Sequence, residues 1–434
     1  MSMPNVSISP SRSRQFLRKT QITVTVLLLL IGTVDYLDRG TLSIANPLIR
    51  ANLHLSVAQM GILLSAFSWS YALAQLPSGW LVDRTGPRIL LSAGLVVWSL
   101  AQIASGLVVG LGQFIWARIF LGVGEAPAWP SGARTVTSWF NVRKRGLPTG
   151  IFNAASTLGP ALSAPILTVL MLTVGWRGMF IIMGVLGLIG SVVWYVIYRN
   201  PNQTIVSAED LAALREGDTA PSRSVTLAQW GRLFRYKETW GMIFGFFGTV
   251  YLIWLYLTWL PGYLEMAKHE SIAATGVLAG IPFVFGFFGS IIGGGMSDRL
   301  ARRGYSPINS RKIPLVLGLF GMAIFTVPAA LAHGVVPALI FISIAEFFGN
   351  VSSATAWTLP TAVAPNNYVA SLGGIQNFGG YFGASLAPMV TGFIVSATKS
   401  FVYALLLGAA IAVISGLIYA LLVRRPISGE ALES

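Results

Sequence analysis

The chain has 434 residues, of which 54% are hydrophobic and only 10% charged, and its mean hydropathy is +0.70. Soluble domains carry about 25% charged residues, so a water-soluble enzyme or nucleic-acid-binding domain is excluded despite the net charge of +14. The absence of cysteine removes disulfides, thiolate nucleophiles and cysteine metal sites from consideration.

Apolar windows of about 20 residues, each long enough to cross roughly 30 Å of hydrocarbon as a helix, recur along the chain. Twelve spans are predicted, at 21–47, 57–82, 89–109, 112–138, 146–171, 176–198, 239–264, 272–297, 313–332, 335–362, 368–396 and 400–423. Residues 1–20 form a basic tail that resembles the start of a signal peptide. The first span is too long for one and has no convincing cleavage site, so it is read as a retained helix.

That first span contains "VDYLDRGTLSIANP" (34–47), which places Asp35, Asp38 and Arg39 among apolar residues. Each such charge costs roughly 2.5–3.5 kcal/mol at the bilayer centre on insertion scales, and an ionisable residue there marks a functional site by default. The second span, "LSAFSWSYALAQLPSGWLVDR" (64–84), offers the hydroxyl of Tyr71 and the amide of Gln75 one helical turn apart. It runs into "GWLVDRTGPR" (79–88), where Gly79 and Gly86 permit a tight turn. Asp83, Arg84 and Arg88 can there make charge-assisted bonds to helix ends.

The fourth span holds "RIFLGVGEAPAWP" (118–130). Arg118 and Glu125 are two helical turns apart and share a face, either as a structural ion pair or as part of a functional cluster with Asp38 and Arg39. Gly122 and Gly124 thin this helix for close packing. The fifth span opens with "GIFNAASTLGPALSAP" (150–165), which contains Ser156.

Residues 199–238 interrupt the pattern with six basic and five acidic side chains and divide the spans six and six. This segment is a linker, with a short helix expected at "SAEDLAALREG" behind a Ser207 cap. The two halves echo each other. "GWLVDR" (79–84) pairs with "GGMSDR" (294–299), which brings in Asp298 and Arg299, and "GIFNAASTLGP" pairs with "GIQNFGGYFG" (374–383). The fold class is therefore an all-α membrane protein of twelve transmembrane helices in two pseudo-symmetric six-helix bundles, at 21–198 and 239–423, followed by a tail at 424–434. Parallel six-helix repeats are a transporter architecture with the substrate site where the halves meet. Facing residues from the second half are Trp357, which serves equally well as packing, and Gln376 and Asn377. Glu346 is a buried carboxylate whose partner the sequence does not name. His54, His269 and His333 fall in loops far apart in sequence.

Charge placement fixes the expected topology. With both termini cytoplasmic, 22 Lys/Arg fall on the cytoplasmic side and only Arg50, Arg177, Lys268 and Lys399 on the other, the bias of the positive-inside rule. The expected location is a bacterial inner membrane, multi-pass. The basicity sets topology and marks no nucleic-acid partner.

With these motifs quoted, the chain resembles the anion:cation symporter family of the major facilitator superfamily, and within it bacterial sugar-acid proton symporters of the D-galactonate/glucarate/hexuronate type. Asp35–Arg39, the 64–84 stretch, Arg118–Glu125 and "VTSWF" (136–140) carry the likeness, and "GWLVDRTGPR" fits the superfamily's signature loop. The resemblance implies the major facilitator fold, alternating access and uptake of a small organic anion, a sugar acid, coupled to protons, with no cofactor, no metal and a monomeric carrier. It implies that Asp38 and Glu125 carry protons, that Arg39 binds the substrate carboxylate and that Arg118 tunes the neighbouring acid. Tyr71, Trp357 and Asn377 are implied to contact substrate hydroxyls, with Gln376 beside them. Gly79, Asp83, Arg84, Gly86, Arg88, Asp298 and Arg299 are implied to latch conformations.

Two departures matter. Asp35 stands where the family often has a neutral residue, so it is either a third titrating group or an internal partner for Arg39. Ser156 stands where galactonate-type members carry a longer glutamine, which bears on which anion fits. Other readings stay open: uptake of aromatic or dicarboxylic acids, efflux by proton antiport, or a membrane sensor that transports nothing. An enzyme is not expected, because no clustered nucleophile or paired histidine is visible.

Overall fold

The computed structural model describes residues 10–141, 144–204, 208–215, 227–365 and 368–428. Among these, every regular element is helical. The first half comprises α1 (Pro10–Leu53), α2 (Val57–Thr85), α3 (Pro87–Leu107), α4 (Leu111–Glu125), α5 (Ala128–Trp139) and α6 (Gly146–Ile197). Two short linker helices follow, α7 (Ala208–Arg215) and α8 (Leu227–Arg232). The second half comprises α9 (Lys237–Lys268), α10 (Ile272–Leu278), α11 (Ile281–Arg302), α12 (Pro307–Leu331), α13 (Val335–Ala356), α14 (Pro360–Val363), α15 (Val369–Thr398) and α16 (Val402–Leu422).

Ten helical stretches among the described residues are long and apolar enough to cross a membrane. Local chemistry explains how these correspond to twelve spans. α6 has 52 residues, about 78 Å at 1.5 Å per residue, which is too long for one crossing. It is two spans joined at Gly175, whose φ of 74° is a left-handed conformation that glycine adopts without penalty. The fourth span divides into α4 and α5 around Ala126–Pro127, because proline donates no N–H and clashes with the preceding turn. Neither piece alone is long enough to cross. The eighth and tenth spans divide similarly before Pro282 and Pro360.

Other boundaries shift for equally local reasons. α1 starts at Pro10, so half of the expected tail is a helical extension of the first span. α2 begins behind a capping box: Ser56 Oγ accepts from the Gln59 amide at 3.2 Å, and Gln59 Oε1 accepts from the Ser56 amide at 2.8 Å. The linker helix forms as α7, and its expected cap Ser207 lies outside the described residues. His54 and His269 occupy left-handed turn positions with φ of 51° and 57°.

Within the first half, α6 packs along α1 and α3, and α4 along α2 and α3. Within the second, α13 packs between α11 and α12, and α9 packs between α15 and α16. The halves meet along α2–α15, α1–α9 and α6–α10. These contacts concentrate at the face opposite the chain termini. Ser43 Oγ bridges to the Thr258 carbonyl at 2.7 Å, and Arg50 reaches Met266. At Gly61 and Gly392 the α2 and α15 backbones touch: a Cβ on Gly392 would lie 2.9 Å from the Gly61 Cα. Toward the terminal face no glycine of the described residues marks such a backbone contact between the halves. Gly79 and Gly374 face open space, and Trp80 and Trp357 are 60% and 54% exposed.

Candidate functional site

Arg39 occupies the centre of the first half. Its Nε donates to Glu125 Oε2 at 2.9 Å, and its Nη2 lies 2.8 Å from Asp35 Oδ2. The latter is an ion pair without an aligned hydrogen bond, since Nη1 and Nη2 have no acceptor. The guanidinium is 3% exposed and both carboxylates are fully enclosed. Three rings surround it, with Tyr36, Phe67 and Tyr71 at 4.7, 5.2 and 4.9 Å from its carbon. A ring face attracts a cation most strongly where water is absent. Asp35 and Arg39 meet because they are four apart on α1, and Glu125 reaches them because α4 ends at that residue.

A second group lies one turn further along α1. Thr41 Oγ1 donates to the Asp38 carbonyl at 2.6 Å and accepts from Gln102 Nε2 at 3.0 Å and Arg118 Nη2 at 3.2 Å. Arg118 is 2% exposed and lies over the Phe180 ring at 5.2 Å. Asp38 is completely buried. Neither of its carboxyl oxygens has a hydrogen-bond partner, and no ion pair to either arginine is present among the described residues.

The central cluster reaches the second half through polar contacts. Gln75 Nε2 donates to the Tyr71 hydroxyl at 3.1 Å, and Asn377 Nδ2 of α15 donates to Gln75 Oε1 at 3.1 Å. Tyr381 packs against Tyr71 with centroids 4.7 Å apart and the rings tilted by 40°. Asp35, Asp38, Arg39, Tyr71, Arg118, Glu125 and Asn377 are thus brought together.

Other candidates are not. Gln376 is buried and donates to the Ala356 carbonyl at 3.0 Å, tying α15 to the end of α13. Ser156 bonds back to the Asn153 carbonyl of its own helix at 2.8 Å. Trp357 packs edge-on against Phe246 at 5.7 Å and is half-exposed. Among the latch candidates, Gly86 takes a φ of 80° and Arg88 Nε donates to the Tyr195 carbonyl at 3.0 Å. Arg84 lies over Trp80 at 5.3 Å, while Asp298 and Arg299 are exposed. Gly79 faces open space, and the Asp83 side chain lies outside the described residues. No ion pair joins the halves among the described residues.

A groove between α3 and α4 is lined by Val97, Leu100, Trp116 and Phe120 and contains none of the charged residues. Glu346 is buried in the second half. Its Oε2 accepts from Asn350 Nδ2 at 3.1 Å, and its Oε1 has no partner. Glu346→Ala removes that acceptor and opens a void between α11 and α13. The expected loss is about 1–3 kcal/mol, read as a lowered melting temperature of the purified protein.

A two-half helical bundle with a buried arginine–carboxylate cluster at its centre sets the expectation for comparison with known proteins. The family model described as Major Facilitator Superfamily matches residues 28–388. The chain belongs to the Major Facilitator Superfamily. A relative from Escherichia coli (strain K12), "Probable L-galactonate transporter", is 43% identical over 95% of this chain and 91% of that one. The "D-galactonate transporter" of Escherichia coli O6:H1 is 32% identical over 98% of each chain. The "Hexuronate transporter" of Bacillus subtilis (strain 168) is 33% identical over 95% of this chain and 96% of that one. A crystal structure of a bacterial homologue of the human lysosomal transporter Spinster superposes with a TM-score of 0.79 at 17% identity, covering 93% of this chain and 97% of that one. At that identity the likeness establishes the fold alone. Members of this superfamily are transporters, and this chain is one rather than an enzyme.

Within this major facilitator bundle, sequence reasoning missed Tyr36, Thr41, Gln102 and Tyr381. Gln102 carried a usable signal, as a lone amide in the middle of an otherwise apolar third span, where an unpaired polar group is expensive. Tyr36, flanked by Asp35 and Leu37, reads as an ordinary amphipathic aromatic. Only packing reveals its position over Arg39.

Proposed function

We propose that this protein is a proton-coupled symporter that imports a sugar acid — an aldonate, aldarate or uronate — by alternating access. The observation that carries the reading is the enclosed Arg39, held by two carboxylates and by the tyrosines that adjoin the second half. A guanidinium is permanently charged and matches a carboxylate in planar geometry, so a substrate anion can compete for it. It gains access when a proton neutralises a competing carboxylate. The hydroxyl and amide groups of Tyr71, Gln75 and Asn377 suit a polyol chain. The names of the relatives, galactonate and hexuronate transporters, support this substrate class.

In this reading 21–198 and 239–423 move as two bodies, and the positive-inside bias places the terminal face in the cytoplasm. The lack of close backbone contact there, with Trp80 and Trp357 exposed, supports an inward-open state. Asp38 and Glu125 load protons outside and release them inside, which weakens the hold on the anion. Arg84, Arg88, Asp298 and Arg299 stand on the face that closes next, as a latch for the opposite state requires. The carrier acts as a monomer.

The test uses purified protein in proteoliposomes with an inward proton gradient and a panel of sugar acids, aromatic acids and dicarboxylates. Sugar acids are expected to accumulate. Asp38→Asn and Glu125→Gln are each expected to abolish gradient-driven accumulation while exchange of internal for external anion continues. Concentrative uptake at the wild-type level by the double variant refutes the assignment, and expulsion of substrate on a pH jump favours antiport.

A further inference from the structure

The central cluster has more acids than bases. Asp35, Asp38 and Glu125 are all fully buried, and Arg39 and Arg118 are the two guanidiniums among them. If every group is ionised, one negative charge is uncompensated in a space closed by Tyr36, Phe67 and Tyr71. A buried, unpaired charge is costly, and such groups respond by neutralising.

Among the described residues no further cation is paired with the cluster. From α1 the cluster meets Tyr36, from α2 Tyr71, from α4 Arg118 and from α15 Tyr381. The 146–174 stretch of α6, packed along α1, contains no titratable residue. One contact within the cluster also calls for a hydrogen, and one buried acid lacks a donor. Asp35 and Glu125 face one another carboxyl to carboxyl, and two ionised carboxylates have no donor to offer each other. Asp38 has no partner for either oxygen. Without Asp35, two acids would balance two guanidiniums.

Resting on the symporter reading above, we infer that Asp35 makes the empty carrier a proton-holding one. One proton remains within the Asp35–Glu125–Asp38 group when no substrate is bound and is not among those that cross with the anion. Asp35 keeps the substrate-free site neutral while leaving Arg39 doubly held, and an arriving anion brings its own proton in addition.

Two measurements test this. The first is infrared spectroscopy of the substrate-free protein, in which the carbonyl stretch of a protonated carboxyl is separate from carboxylate bands and shifts in deuterated water. Asp35→Asn is expected to remove one buried acid band, and Asp35→Glu to restore it. The second is the number of protons moved per molecule of L-galactonate in proteoliposomes. Asp35→Asn is expected to transport more slowly, yet at the wild-type ratio. An unchanged acid band in Asp35→Asn overturns the inference, as does a proton ratio that falls in that variant, which would make Asp35 a carrier. If Asp35→Asn fails to fold, Asp35→Ser is read by the same two criteria. Uptake by the wild type that ignores the proton gradient refutes the symporter reading instead, and the infrared result stands apart from it because it uses no substrate.

Discussion

Arg39→Ala is expected to abolish uptake and to lower the melting temperature more than any other single substitution in the cluster. The guanidinium is the shared partner of Asp35 and Glu125, and its removal leaves two carboxyls buried with no cation in contact. Breaking a buried pair from one side costs about 3–5 kcal/mol, and uptake of protons by the orphaned acids moderates this toward the lower figure. The same 3 kcal/mol, if expressed in substrate binding, corresponds to about a hundredfold loss of affinity. Arg39→Lys separates charge from shape. An ammonium is a compact point charge and cannot span Glu125 through one nitrogen and Asp35 through another, so it should melt between wild type and Arg39→Ala and remain transport-deficient. Adding Asp35→Asn to Arg39→Ala should recover part of the lost stability, because one orphaned acid disappears. Thermal unfolding and uptake by the four proteins check the set. Wild-type accumulation by Arg39→Ala would remove the cluster from the mechanism.

Gly392→Trp is expected to hold the halves apart at the face opposite the termini and to reduce uptake to background. α2 and α15 touch backbone to backbone at this point. A Cβ on Gly392 would lie 2.9 Å from both the Gly61 Cα and the Val57 carbonyl oxygen, and one on Gly61 would lie 2.7 Å from the Pro388 carbonyl oxygen. Backbone cannot move aside as a long side chain can, so a bulky substituent must separate the helices. The absence of cysteine makes the readout simple. Asn46 is fully buried at the α1–α9 contact beside Gly262, and an Asn46→Cys reporter should react slowly with a membrane-impermeant thiol reagent. In the Gly392→Trp background it should react quickly. Equal labelling rates in the two backgrounds, with uptake intact, would show that this contact does not close the face.

The fold was legible because hydrocarbon demands long apolar helices, and twelve such windows and a polar divider survive any uncertainty in their ends. The divisions within the fourth and tenth spans were less so. Pro127 and Pro360 are visible in the sequence, but whether a proline kinks a helix or ends it depends on the neighbours that satisfy the freed carbonyls. Asp35, Arg39 and Glu125 were legible as charges that hydrocarbon would otherwise reject. Their mutual geometry was only half visible: the i, i+4 spacing foretold Asp35 with Arg39, whereas the Arg39–Glu125 bond joins residues 86 apart in sequence. Gln376 and Asn377 show the limit most clearly. They are adjacent amides of equal promise in the sequence, and helix rotation turns one toward Ala356 and the other toward Gln75 across the divide between halves.

The reversals at the face opposite the termini are very short. His54, Gly175, His269 and Lys399 each redirect the chain with a single left-handed residue. Helices tethered so tightly at one end have almost no slack to slide past their partners, so each joined pair must tilt together as a rigid lever. On the terminal face Gly86 and Gly304 join α2 to α3 and α11 to α12 in the same way, so movement between the halves is left to the stretch of sequence between α6 and α9. An inserted peptide or bulky tag should therefore be tolerated within that segment and disruptive at any of the four tethers.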